Sequence, residues 1–150
     1  MSWVAQVLTP VSIHGGKQLL AYETMRQGNL VKLESDGSRA SLGGVNQRIL
    51  GICFGLNYRA YAPSTENFAA GDPITVVWGD GEALLSSDLF TGGTLPSVGD
   101  GIYAGASGLW TNSGSATERL GTCVKLVTQT GLAGVNATQT LAHIRFTIKP

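Results

Sequence analysis

Few side chains in this 150-residue chain are equipped for chemistry, and they are scattered. Of the two histidines, His14 precedes Gly15-Gly16, and His143 alternates with Ala142 and Ile144 near the C-terminus. A hydrolase needs a nucleophile served by a base and an orienting group, or paired carboxylates. Neither histidine has such a motif around it, so no catalytic residue is expected, and His143 reads as a surface or interface side chain. Asp72, Asp80, Asp88 and Asp100 fall at or near turns. Asp beside Gly is ordinary turn chemistry, and no calcium loop with oxygens at alternate positions is present. Gly79-Asp80-Gly81 and Gly99-Asp100-Gly101 look like fragments of a phosphate loop, yet neither continues as GxxxxGK(S/T) or opens a helix. Asn136-Ala137-Thr138 fits a glycosylation sequon by pattern alone. Cys53 and Cys123 stand seventy residues apart with no CxxC, a poor start for a metal site. No metal, no cofactor and no small-molecule substrate are expected.

The aromatic residues offer binding rather than catalysis. Trp3, Tyr58, Tyr61, Trp78, Tyr103 and Trp110 lie at the ends of β-rich runs or beside turns. Trp78 and Trp110 read as structural. Aromatic side chains and arginine supply much of the energy of protein interfaces. Trp3 and the run Tyr58-Arg59-Ala60-Tyr61, with His143, are therefore the candidate interface residues.

The elements that must position these groups are repeated. Gly-(Asp/Asn)-x-(Ile/Val) or a near variant begins at Gly28 (GNLVKL), Gly71 (GDPITV) and Gly99 (GDGIYA). Two copies precede the related phrases Arg48-Ile49-Leu50-Gly51-Ile52-Cys53 and Glu118-Arg119-Leu120-Gly121-Thr122-Cys123. Nine residues separate Gly28 from Gly37 and Gly99 from Gly108; fourteen then lead to Gly51 and thirteen to Gly121. One β-unit has been used twice, with a one-residue indel and an inserted strand pair. The matched cysteines are expected to be small core residues on equivalent strands, with a disulfide between the halves as the alternative.

Between these landmarks, short alternating runs and turn residues recur every eight to twelve positions, and long periodic helical runs are absent. The reading is all-β: a small β-barrel built from two related β-units, with little helix, over residues 28–150. Residues 1–27 are either an N-terminal arm or a first strand of the same barrel. Asp36-Gly37 is a hairpin turn. Ile74–Trp78 and Glu82–Leu85 read as a hairpin about Gly79-Asp80-Gly81. Ser87–Phe90 suggests one helical turn, and Thr140–Lys149 the closing strand.

Composition narrows the partners. Ten basic and ten acidic side chains cancel, so no field gathers nucleic acid or anionic lipid. Charged residues are 13% of the chain, about half the usual ~25%. With 43% apolar residues and 21 glycines, that suits a β protein hiding surface in an assembly. No run reaches the ~20 apolar residues of a membrane helix. The first twenty residues lack a signal-peptide pattern, so synthesis in the cytoplasm with reduced thiols is expected.

Gly99-Asp100-Gly101-Ile102-Tyr103, Gly108-Leu109-Trp110-Thr111, Leu120-Gly121-Thr122-Cys123-Val124 and Ile144-Arg145-Phe146 together resemble the bacteriophage capsid decoration proteins, also called cement or head-stabilising proteins. The resemblance covers the C-terminal half directly and Gly28–Cys53 through the repeat. It implies a β-barrel or β-tulip body on the outside of an assembled head, made in the host bacterial cytoplasm. It further implies a homotrimer that clamps neighbouring major capsid subunits. A tail or fibre module binding carbohydrate or a receptor, and a tail-tube or connector subunit, are the alternatives.

Overall fold

The computed structural model describes residues 3–9, 11–59, 63–114, 118–130 and 138–150, apart from the Lys17 side chain. The fold is all-β. Its strands are β1 (Ala5–Val7), β2 (Ser12–Ala21), β3 (Met25–Arg26), β4 (Leu30–Leu33), β5 (Arg39–Leu42), β6 (Gly51–Phe54), β7 (Asn67–Phe68), β8 (Pro73–Ser86), β9 (Gly101–Ala104), β10 (Trp110–Thr111), β11 (Gly121–Thr130) and β12 (Thr138–Ile148). Single 3₁₀ turns at Ser87–Leu89, Thr91–Gly93 and Ala106–Gly108 are the helical segments among the described residues.

Five strands close on themselves. β8 pairs with β2, β2 with β5, β5 with β4, β4 with β6, and β6 returns to β8. All contacts in this ring are antiparallel except β2–β5, a short parallel seam of Leu20 with Arg39 and Ala21 with Ala40. Alternation along the strands divides the apolar residues into two cores. Leu19, Ala21, Val31, Ala40, Cys53, Ile74 and Val76, one or two from each barrel strand, pack in one cluster with Met25 and Phe68. Their neighbours Leu30, Ile52, Phe54 and Val77 belong to a second, larger cluster. That cluster includes β1, β9, β10 and β12 residues such as Ala5, Ile102, Trp110, Ile144 and Phe146.

The sequence reading of Ile74–Leu85 as a hairpin is corrected here. β8 runs through Gly79-Asp80-Gly81 as one strand of fourteen residues. Its first half pairs with β2 and β6, through Ile74–Trp78, and its second half with β12 from Gly79 to Ser86 and with β1 at Ala83–Leu85. Gly79 sits at φ +98°, and a side chain at Gly81 would collide with the Phe146 ring and Val11. The glycines therefore bend the strand from the barrel into the second sheet, as corner strands do. Once each half has its own partners, folding back would forfeit both ladders. The C-terminal strand is corrected in the same way: β12 closes no barrel and lies between β8 and β11. Residues 1–27 hold β1 and the barrel strand β2, so a boundary at residue 28 would cut through the closed ring.

The repeat is real at the level of hydrogen bonds. Gly28, Gly71 and Gly99 have φ of +85°, +92° and +94°. Each is third in a four-residue turn closed by the amide of Asn29, Asp72 or Asp100 donating to the carbonyl of Arg26, Ala69 or Ser97. In each, the Asn or Asp side chain accepts from the amide at that same first position, at 2.8 to 2.9 Å. Each turn then exchanges two backbone bonds with one facing residue. Gly28 and Asn29 do so with Cys53, Gly99 and Asp100 with Cys123, and Gly71 and Asp72 with Ala21. Beyond the turns the register also agrees: Val31 faces Gly51 as Ile102 faces Gly121. At both of those facing glycines an added Cβ would stand 2.3 Å from a backbone carbonyl oxygen, of Val77 and of Arg145.

The three turns share a backbone but not surroundings, which gives a test. A Cβ at Gly28 would lie 2.5 Å from Leu89, whereas at Gly71 nothing lies within 4 Å. Gly71→Ala should cost about 1–2 kcal/mol for the left-handed backbone alone. Gly28→Ala should add about 1–3 kcal/mol of overpacking to that. Urea unfolding of the two variants checks it; equal losses would show that the contact with Leu89 relaxes freely.

Candidate interaction surface

Trp3 lies just before β1, half-buried against the larger core. The Arg26 guanidinium stands over its ring, 4.5 Å from the centroid. Arg26 ends β3 and opens the Gly28 turn, so the repeat's own geometry delivers the cation to the indole. Such a stack contributes about 0.5–1 kcal/mol near a surface. β1 is held beside it by reciprocal backbone bonds between Ala5 and Ser64 and by the Val4 amide donating to the Ser86 hydroxyl at 3.0 Å.

Tyr58 follows β6 and packs on the same core, tilted against Phe54 with ring centroids 4.9 Å apart. Arg59 is exposed. Tyr61 lies outside the described residues. The structure thus packs Trp3 and Tyr58 against one core cluster and leaves Arg59, next in the chain, exposed.

His143 belongs elsewhere. It lies on β12, opposite Leu84 of β8 and Lys125 of β11. Its Nε2 is 2.8 Å from Glu82 Oε1, and its side chain is 13% exposed. Glu82 is itself paired in register with Arg145. The arrangement braces β8 against β12. Among the described residues, no cluster of three or more His, Cys, Asp or Glu side chains could hold a metal ion.

The expected structural tryptophans are placed in atomic detail. Trp110 is fully buried, and its Nε1 donates to the Gly28 carbonyl at 2.8 Å. Gly108 N donates to Gly43 O, and Asn29 Nδ2 donates to Gly108 O, so three bonds tie the second unit onto the first. Trp78 is partly buried, tilted against His14 at 5.7 Å, and packs on both cores.

Both cysteines are free thiols, which corrects the disulfide alternative. Cys53 lies in the barrel core, its Sγ 3.5 Å from Met25 Sδ, and Cys123 in the larger core. Matching positions in the repeat do not make neighbours: β6 and β11 are not adjacent in the sheet. Burial pushes the Cys53 thiol far up, with a smaller push from Glu66, and raises Cys123, helped by Asp100. At the exposed turns, carboxylates move the other way. The Ser38 amide and Arg39 side chain hold Asp36 at about 2, and Asn112 with the Ser97 amide lowers Asp100.

Sequence reasoning missed the outward-facing apolar side chains. Ile13, Tyr22, Leu33, Val45, Leu56, Val98 and Leu126 are each 44–62% exposed. A shallow depression of 170 Å³ beside Leu33 is lined by Arg48, Ile49, Leu50 and Pro150. It missed Arg26 as the partner of Trp3 as well, since twenty-three residues separate them. Alternation marks which residues share a face of a strand, and it is silent on which edges and faces are left uncovered.

No protein family and no curated protein sequence matches this chain. Among solved structures it is similar to the N base of the head fiber gp8.5 in bacteriophage phi29, at 14% identity and a TM-score of 0.46, covering 94% of this chain and 100% of that one. A likeness of that size gives no grounds for carrying a role from one protein to the other.

In native buffer at pH 8, Cys53 and Cys123 should resist a thiol reagent and both react once denaturant is added. Labelling of either at the rate of a free thiol would refute its burial.

Proposed function

We propose that this chain is a structural virion protein that binds the outside of an assembled phage capsid and stabilises the lattice by bridging neighbouring major capsid subunits. The observation that carries the reading is the pairing of a low-charge chain with open apolar surface. Charged residues are 13% of the sequence, yet large apolar side chains from Ile13 to Leu126 face outward from a closed, well-packed body. Such a surface suits burial against other protein. The motif resemblance around Gly99–Tyr103 and Leu120–Val124 points to a capsid as the assembly and to a homotrimer as the unit. No catalytic step is part of this role.

The mechanism is linkage. A protein that binds only the assembled lattice stabilises it by RT ln(1 + [L]/Kd), about 4 kcal/mol at a thousandfold excess over Kd. Trp3 with Arg26 above it, Tyr58 and Arg59 form the contact in this reading, because rigid aromatics lose little entropy on docking and arginine brings several donors to an interface. Their supports are stiff: Trp3 and Tyr58 both rest on the larger core.

Purified protein should co-sediment with expanded heads of its source virus, at a number of copies comparable to the coat subunit. Trp3→Ala with Arg59→Ala should weaken that binding at least tenfold. Because Trp3 also packs on the core, Arg59→Ala alone, at an exposed position, should weaken it while leaving the melting curve of the free protein near wild type. Failure of the wild-type protein to bind heads would overturn the capsid role. Binding unchanged in the double variant would move the contact away from this patch.

A further inference from the structure

Among the described residues, β2 and β11 each keep a stretch of edge without a backbone partner. β2 pairs with β8 along Ser12–Gly16, but β5 meets it only at Leu20 and Ala21. β11 pairs with β12 along its length, whereas β9 meets it only at Gly121 and Thr122. Among the described residues, the outer edges of Ser12–Gly16 and Leu126–Thr130 therefore have no backbone partner.

Natural sheets guard such edges with lysine, proline or bulges. β11 carries a bulge between Cys123 and Lys125, and Lys125 itself, while β2 has an irregularity between Gly16 and Leu20, where Lys17 falls; outside those points the guard stops. Leu126-Val127-Thr128-Gln129-Thr130 and Ser12-Ile13-His14-Gly15-Gly16 contain no Lys, Arg, Asp, Glu or Pro. Each also exposes a large aliphatic side chain, Leu126 at 44% and Ile13 at 53%. The β11–β12 ribbon continues past the last β8 partner, Ser86 opposite Leu141. A two-stranded ribbon alone is marginal in water, and here it is braced by hydroxyl pairs Thr128–Thr140 and Thr130–Thr138 at 3.2 and 2.8 Å.

We infer that the β11 edge of one copy adds to the β2 edge of a second copy of this chain, so that the protein assembles by strand addition into a closed ring. Each edge offers at least five residues, and over Ser12–Gly16 and Leu126–Thr130 neither brings a formal charge into the seam. The small Gly15 and Gly16 on one side leave room for the larger Leu126 and Val127 on the other. Area favours a ring over a single foreign strand. A five-residue seam is about 17 Å long, too little by itself for the ~800 Å² per partner of a stable interface. In a ring every copy makes two seams, because a head-to-tail contact repeats until it closes. This names the contact within the proposed oligomer, and it stands or falls without reference to a capsid.

The test needs only the isolated protein. Wild type should have three or more times the 15.6 kDa mass of one chain by light scattering. Ser12→Lys with Ile13→Lys spoils one edge, and Leu126→Lys with Thr130→Lys spoils the other, all at exposed positions. Each double variant alone should fall to a monomer, and an equimolar mixture, left with one seam per pair, should associate one-to-one only at concentrations well above those at which the wild type forms its ring. In the wild type, hydrogen exchange at 12–16 and 126–130 should slow as protein concentration rises. A monomeric wild type would overturn the inference, as would a β2-edge variant that still self-associates or exchange in both segments that ignores concentration. A ring that forms but does not bind heads would leave the seam intact and remove the capsid role.

Discussion

A single left-handed glycine, locked by the residue after it, organises this molecule. At Gly28, Gly71 and Gly99 the positive φ turns the chain so that the next Asn or Asp accepts a hydrogen bond from the amide three residues back. The same turn then presents one donor and one acceptor to a facing residue, Cys53, Ala21 or Cys123. Strand register is thus fixed at each turn by backbone bonds. That matters because a slip of one residue would exchange the two faces of a strand. In β4 and β6 both faces are apolar, and each serves a different core.

The two units are joined at this same point. The Trp110 indole of the second unit donates to the carbonyl of Gly28 in the first, in a fully buried setting. A buried carbonyl without a partner costs about 1–3 kcal/mol, so the indole both fills the core and satisfies the turn it covers. β8 provides the other junction. Its bend at Gly79–Gly81 carries one strand from the barrel into the sheet of β12 and β11. The duplication therefore builds a closed barrel on one side and an open sheet on the other, which is why, among the described residues, β2 and β11 keep unpaired edges.

The turns, the duplication and the all-β class were legible because they depend on local chemistry. Glycine before Asp or Asn, an Asp36-Gly37 hairpin and alternating apolar runs each act within a few residues. The burial of both cysteines was legible for a related reason, since matching strand positions in the two units both face inward. The candidate interface was legible only in part. Trp3 and Tyr58 share one core cluster, but His143 is taken up by Glu82 across the β12–β8 ladder. Nothing in the few residues around His143 encodes that partner, sixty-one positions away.

Sequence alone determined where the chain turns, which positions recur and which residue types go inside, because steric limits and hydropathy act locally. Tertiary structure decided whether Gly79-Asp80-Gly81 reversed the chain or bent it. The same three residues permit both, and the choice fell to the partners available to each half of β8. It also decided that the matched cysteines lie in separate cores and that, among the described residues, the outer edges of β2 and β11 go unpaired. Those outcomes depend on which distant strands compete for the same backbone groups, a long-range comparison that no local window contains.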